Sequence, residues 1–291
     1  MCGREPEEAT VKRQRLRVEA RGDGDPPLLL LHGFTGTPEA WDAPEAWGEP
    51  LLDALARHRR VLAVELPGHH RRAHAGGQLV QTTGRYLPER YRLERVLADL
   101  LATLDAHGHE RVDWLGYSMG GRIALAAAIV HPHRVRRLVL EGASPGLSTD
   151  EERRRRRADD EALAQMLETQ GMEAFIRRWL EQPLFASQRN LPAEIRRRTR
   201  QLRLQRDPEA LAAVLRGLGT GSQPSFWRRL EEVSEPALLL AGALDEKFQD
   251  LATRMAERMP NAEPRWLPDA GHAAHLEAPE DWLQSVTTFL R

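Results

Sequence analysis

The chain of 291 residues has almost no cysteine and almost no lysine. Its single cysteine, Cys2, lies in a polar N-terminal segment, which excludes an intrachain disulfide and a cysteine-held metal centre. Lys12 and Lys247 are the only lysines among 42 basic side chains. The rest are arginines, whose planar fork grips carboxylates in a bidentate way that an ammonium cannot match. No apolar run approaches the roughly 18 residues that cross a bilayer, and Met1 to Thr10 lacks the apolar centre of a signal peptide. The expectation is a cytoplasmic protein without a membrane segment. Charge of neither sign dominates: 43 acidic residues leave a formal net charge of −1, which argues against a nucleic-acid or membrane partner attracted by bulk charge. Internal repeats and low-complexity linkers are missing too, and nothing in the pattern specifies an oligomeric state.

What is present is a repeating strand, loop, helix pattern. Val11 to Ala20 alternates polar and apolar residues as an antiparallel edge strand does, and 21–25 is turn chemistry. Pro27 to Leu31 reads as a strand buried on both faces and ends in His32-Gly33-Phe34-Thr35-Gly36. Trp41 and Trp47 are expected to pack over the sheet. Leu51 to His58 is helical, and Val61 to Leu66 is a second buried strand ending in Pro67-Gly68-His69-His70. The spacing of His69, His70 and His74 matches no tight metal motif, so they are read as solvated loop histidines. Leu93 to His107 is helical and leads into the apolar stretch from Val112; Arg137 to Glu141 is the next strand.

Composition then shifts. Residues 148–233 are rich in Arg, Glu and Leu with helical periods, opened by a capping box at Ser148 and Glu151. The sheet pattern returns at Ala237 to Gly242, continues through a helix from Phe248 to Met259 and a short strand around Trp266, and closes with a helix from Pro279 to Leu290. The expected architecture is α/β: a mostly parallel, doubly wound sheet built from 1–147 and 234–291, with a helical lid at 148–233.

Gly116-Tyr117-Ser118-Met119-Gly120 carries the GxSxG pattern of a nucleophile elbow between an apolar run and a small-residue helix. Serine needs an imidazole to take its proton, and the imidazole needs a carboxylate to fix its tautomer. Asp245 and His272, each in a loop after a later strand, supply them in the order found in α/β-hydrolases. Asp250, Asp269 and His275 compete: Asp250 and His275 fall in helical runs, and Asp269 is too near His272 in sequence to reach around it. The glycine-rich loop after the first buried strand offers the N–H of Phe34 as an oxyanion donor, paired with that of Met119. Arg122, one helical turn after Ser118, either sits beside the nucleophile, where its desolvation is costly unless an anion compensates, or snorkels out to solvent. Five successive positions, Arg153 to Arg157, sweep around a helix axis, so most must face water. No metal and no organic cofactor is implied. A general serine hydrolase uses the same residues, and a non-catalytic binding protein on this fold is a third reading.

The quoted elbow and HGFTG loop, together with Glu141 to Leu147 (EGASPGL), Trp179 to Ser187 (WLEQPLFAS), Gly219 to Trp227 (GTGSQPSFW), Asp245 to Phe248 (DEKF) and Gly271-His272, give the chain a more specific likeness. It resembles the 2-succinyl-6-hydroxy-2,4-cyclohexadiene-1-carboxylate synthases of menaquinone biosynthesis, lyases of the α/β-hydrolase fold, from about residue 27 to the C-terminus. The resemblance implies elimination of pyruvate from a small polycarboxylate, with the triad serine as base. It implies carboxylate binding by Arg122, Arg156 and Arg203, with Arg200 a rival to Arg203, and a pocket lined by Tyr117 and Trp179. The chain departs from the family pattern at Glu65-Leu66-Pro67-Gly68-His69-His70, where Asp-Leu-Pro-Gly-His-Gly is usual.

Overall fold

Uninterrupted leucine and valine runs set the centre of the molecule, because a strand whose successive side chains point to opposite faces buries every residue only when helices cover both. The computed structural model describes residues 14–42, 49–72, 74, 75, 78, 79 and 86–291. Cys2, Lys12, Trp47 and the side chain of His74 lie outside the described residues. Strands β1 (Val18–Arg21), β2 (Leu28–Leu31), β3 (Val61–Val64), β6 (Val112–Tyr117), β7 (Val135–Glu141), β8 (Ala237–Gly242) and β9 (Ala262–Leu267) form a seven-stranded sheet in the order β1-β3-β2-β6-β7-β8-β9. Only β1 runs antiparallel, against β3. Strands β4 (His74–Ala75) and β5 (Gln78–Leu79) make a separate small hairpin.

The alternation is visible in the core. Leu29, Leu31, Trp114, Leu138 and Leu239 face one helical layer, which includes α2 (Leu93–Ala106) and α3 (Met119–Val130). Leu28, Leu30, Leu115, Val139 and Leu240 face the other, with α1 (Leu51–Ala56) and α9 (Pro279–Leu290). Of the edge strand expected over Val11 to Ala20, residues 11–13 lie outside the described residues; its ladder with β3 runs from Val18 to Arg21, and the Arg17 carbonyl accepts the Glu65 N–H at 2.9 Å just before it.

Between β7 and β8 the described chain contains no strand. It holds α4 (Asp150–Leu180), α5 (Ala193–Leu204) and α6 (Pro208–Leu218), which share a small apolar core around Ala164, Leu167, Phe175, Leu211 and Leu215. The capping box that opens α4 is Thr149 with Glu152, one residue beyond the Ser148 and Glu151 pair: the Glu152 N–H donates to Thr149 Oγ1 at 3.1 Å and the Thr149 N–H to Glu152 Oε2 at 2.8 Å. Both pairs satisfy the motif's spacing, and only the phase of the first turn separates them. Gly171 breaks α4 with a positive φ of 73°. After β8 come α7 (Glu246–Ala256), β9 and the short α8 (Ala274–Glu277). Every parallel strand therefore points its carboxyl end at the same edge, where α/β sheets bind ligands.

Candidate active site

Strand β6 ends and α3 begins within one residue, and Ser118 occupies that turn with φ 51° and ψ −108°. A non-glycine residue held there stores strain that the surrounding packing must impose. The packing leaves no alternative: a Cβ on Gly116 would lie 2.3 Å from the Gly120 carbonyl oxygen, and one on Gly120 would lie 2.1 Å from that of Leu31. The crossing of β2, β6 and α3 is thus closed by backbone alone, and the serine is lifted out of the sheet.

Ser118 Oγ lies 3.1 Å from His272 Nε2. His272 Nδ1 lies 2.8 Å from Asp245 Oδ2, while Asp245 Oδ1 accepts the N–H of Phe248 at 3.4 Å as the N-cap of α7. Asp245 and His272 are buried; Phe248 packs on the imidazole with ring centroids 4.5 Å apart. The competing residues are engaged elsewhere. Glu141 Oε1 accepts from His275 Nδ1 at 2.8 Å and from the His275 N–H at 3.1 Å, and its Oε2 accepts from Trp282 Nε1 at 2.9 Å. Asp250 pairs with Arg254, and Asp269 is exposed on a positive-φ turn. Neither the Phe34 nor the Met119 N–H donates to any described protein acceptor.

A cavity of about 640 Å³ opens over Ser118 and His272. Phe34, Met119, Trp179 and Phe185 supply apolar wall, and Arg122, Arg156, Lys247 and Arg254 supply positive charge. Arg122 donates to Gln223 Oε1 at 2.5 Å and to the Leu218 carbonyl at 3.0 Å, both neutral. No carboxylate pairs with it among the described residues, and burial, reinforced by the neighbouring Arg156 charge, lowers its pKa to about 10. Arg156 is held through Nε by Asp160 at 2.8 Å. Its neighbours turn away: Arg153 caps the Leu147 carbonyl, Arg157 that of Gly221, and Arg154 and Arg155 are exposed.

Tyr117 and Arg203 do not line this cavity. They line a narrower cleft of about 50 Å³ on the far side of Phe34, with His275 and Arg198. Tyr117 ends β6 on the same face as Leu115, two residues earlier, so its ring packs toward the α1 and α9 layer rather than into the cavity. Arg203 reaches toward the cavity only as far as Phe185, its guanidinium carbon 5.9 Å from that ring's centroid. Arg200 is a surface residue paired with Glu173. Of the loop histidines, His70 is partly exposed as expected, whereas His69 differs. His69 is fully buried, 4.9 Å from His32 between ring centroids, and its carbonyl accepts from buried Arg206 at 2.6 Å. That arginine ties the end of α5 to the loop after β3, a long-range contact with no trace in local sequence. Gln223, Phe248 and Lys247 carry no individual signal in the sequence beyond their place in the segments GTGSQPSFW and DEKF.

A serine poised this way at the carboxyl edge of a mostly parallel sheet defines a protein of the α/β-hydrolase class, and the family model described as alpha/beta hydrolase fold matches residues 26–279. Within that class the chain belongs to the 2-succinyl-6-hydroxy-2,4-cyclohexadiene-1-carboxylate synthase family. It is 32% identical over 268 residues to the synthase of that name from Salmonella paratyphi C (strain RKS4594), covering 92% of this chain and 95% of the relative. A Bacillus subtilis (strain 168) protein provisionally given the same name is 37% identical over 263 residues, covering 90% and 89%. The structure of MenH from S. aureus superposes with a TM-score of 0.81 at 31% identity, covering 94% of this chain and 97% of that one. Among the described residues no helix is long and apolar enough to cross a membrane.

Proposed function

We propose that the chain eliminates pyruvate from 2-succinyl-5-enolpyruvyl-6-hydroxy-3-cyclohexene-1-carboxylate, giving 2-succinyl-6-hydroxy-2,4-cyclohexadiene-1-carboxylate for menaquinone biosynthesis in the cytoplasm. The observation that carries this reading is Arg122, a charged side chain one turn from Ser118 whose protein partners are all neutral. A buried guanidinium without a counter-ion is costly, and a substrate carboxylate would remove that cost. A plain esterase has no use for it.

In this mechanism His272, oriented by Asp245, makes Ser118 Oγ basic enough to take the ring C2 proton, which the adjacent succinyl ketone acidifies. The electrons released from that C–H bond pass first toward the ketone oxygen, which the Phe34 and Met119 N–H groups stabilise as an enolate. They then form the C2–C3 double bond; the old C3–C4 double bond shifts to C4–C5, and the C5–O bond breaks. The leaving enolpyruvate takes up a proton and becomes pyruvate, so atoms and charge balance without an acyl-enzyme. Arg122 and Arg156 hold carboxylates on the α3 and α4 walls. Arg203 acts from behind Phe185, with Tyr117 packed beside His272. Residues 148–233 serve as a lid that keeps water from the enolate.

The test is pyruvate release from the purified substrate. Rapid release, together with negligible turnover of p-nitrophenyl acetate, is expected. Fast ester hydrolysis without pyruvate formation would favour a serine hydrolase instead, and a covalent Ser118 adduct trapped during turnover would exclude the base mechanism.

A further inference from the structure

Next to the catalytic cavity lies a second cleft of about 610 Å³ whose charged lining is mostly arginine: Arg153 on α4, Arg228, Arg254 on α7, and Arg258 just past the end of α7. Ser148, Trp227 and Arg254 line both spaces, so the two share a wall. Two of these charges are partly neutralised, Arg153 by Asp150 and Arg254 by Asp250. Arg228 and Arg258 have no carboxylate partner among the described residues. Arg254 and Arg258 both lie over the Trp227 ring, their guanidinium carbons 4.7 and 5.6 Å from its centroid. The indole is fixed by donating from Nε1 to the Gly146 carbonyl at 3.0 Å. Like charges four residues apart repel, and cation–π contact offsets that only modestly at a solvated site. The arrangement gains most when an anion enters between them. In a chain with a formal net charge of −1, this concentration of one sign is local.

We propose that this cleft is the entry vestibule for the polycarboxylate substrate: carboxylates lodge first against Arg228 and Arg258, then cross Trp227 and Arg254 to reach Arg122. The proposal rests on the tricarboxylate reading above and adds a route to it. Charges outside the reaction centre that face an approaching anion raise the encounter rate, an effect that ionic strength suppresses. They leave the bound complex, and hence kcat, unchanged.

The experiment measures kcat and kcat/KM for pyruvate release across NaCl concentrations. It compares the unmodified enzyme with Arg228→Glu/Arg258→Glu, with the milder Arg228→Gln/Arg258→Gln, and with Arg92→Glu, an exposed charge reversal at the start of α2. At low salt the double glutamate variant should lose about tenfold in kcat/KM with kcat intact, and the glutamine pair should fall between. At about 0.5 M NaCl, where screening acts within about 4 Å, the differences should shrink to about twofold. Arg92→Glu should follow the unmodified enzyme throughout. Wild-type kcat/KM in both double variants at low salt would overturn the vestibule while leaving the pyruvate-lyase reading intact; so would a loss that salt does not diminish, or one confined to kcat. Failure of the unmodified enzyme to release pyruvate would overturn both.

Discussion

Replacing Arg122 with methionine should separate stability from activity more sharply than any other single change. Lowering the Arg122 pKa from its ordinary value to about 10 corresponds to about 3 kcal/mol against the folded, charged form. The sign follows from which state binds protons. Below pH 10 the guanidinium is charged both folded and unfolded, so the whole cost stands at neutral pH; it fades only as pH rises through 10. Methionine removes that cost and fills similar space, but forfeits the hydrogen bonds to Gln223 and the Leu218 carbonyl, about 1.5 kcal/mol each. The two nearly cancel, so thermal unfolding should shift by no more than about 4 °C. Activity has no such compensation. A substrate carboxylate left unpaired in a dehydrated site loses about 3–4 kcal/mol, and kcat/KM for pyruvate release should fall about 10²–10³-fold. Arg122→Lys, which keeps charge without the fork, should fall between. A methionine variant within about threefold of wild-type kcat/KM, or one melting more than about 10 °C lower, would refute this account.

Ser118→Ala should lower pyruvate release by at least about 10³-fold while urea unfolding moves by less than about 1 kcal/mol, because Ser118 makes no side-chain cap and alanine meets the same positive φ; a large loss of stability would show that the hydroxyl is structural. Acid should destabilise the fold before carboxylates titrate. His32 is buried, takes the Leu66 N–H on Nε2 at 3.1 Å and has its pKa lowered to about 4 by burial, against the Gly33 carbonyl hydrogen bond that raises it. The unfolded chain binds that proton from about pH 6.5 downward. Its contribution, up to about 3 kcal/mol, is therefore complete above pH 6.5 and lost as pH falls toward 4. Buried His69 is displaced in the same direction, again chiefly by burial. A urea midpoint that stays flat between pH 6.5 and 4.5 would contradict both assignments.

The most legible features are those whose cause is local. Gly116 and Gly120 flank Ser118 because the backbone crossing excludes a Cβ, and that exclusion writes itself into the chain as GxSxG. Leu28 to Leu31 and Ala237 to Gly242 read as doubly buried strands since burial on both faces leaves no room for a polar residue. The last helix begins at Pro279 because proline has no N–H to lose in a first turn.

The sequence by itself thus determined the α/β layering, the position of the serine and the helical character of 148–233, since apolar periodicity and steric exclusion act between near neighbours. Tertiary structure alone decided which members of each candidate set face the same space. Rotation of α4 about its axis chose Arg156 over Arg153 and Arg157, and packing on the Leu115 face of β6 kept Tyr117 out of the cavity that Ser118 enters. His69 is tied through its carbonyl to Arg206, 137 residues later, and Arg122 is anchored by Gln223, 101 residues later. Contacts at such separations are set by how the layers pack, and no residue's immediate neighbours record them.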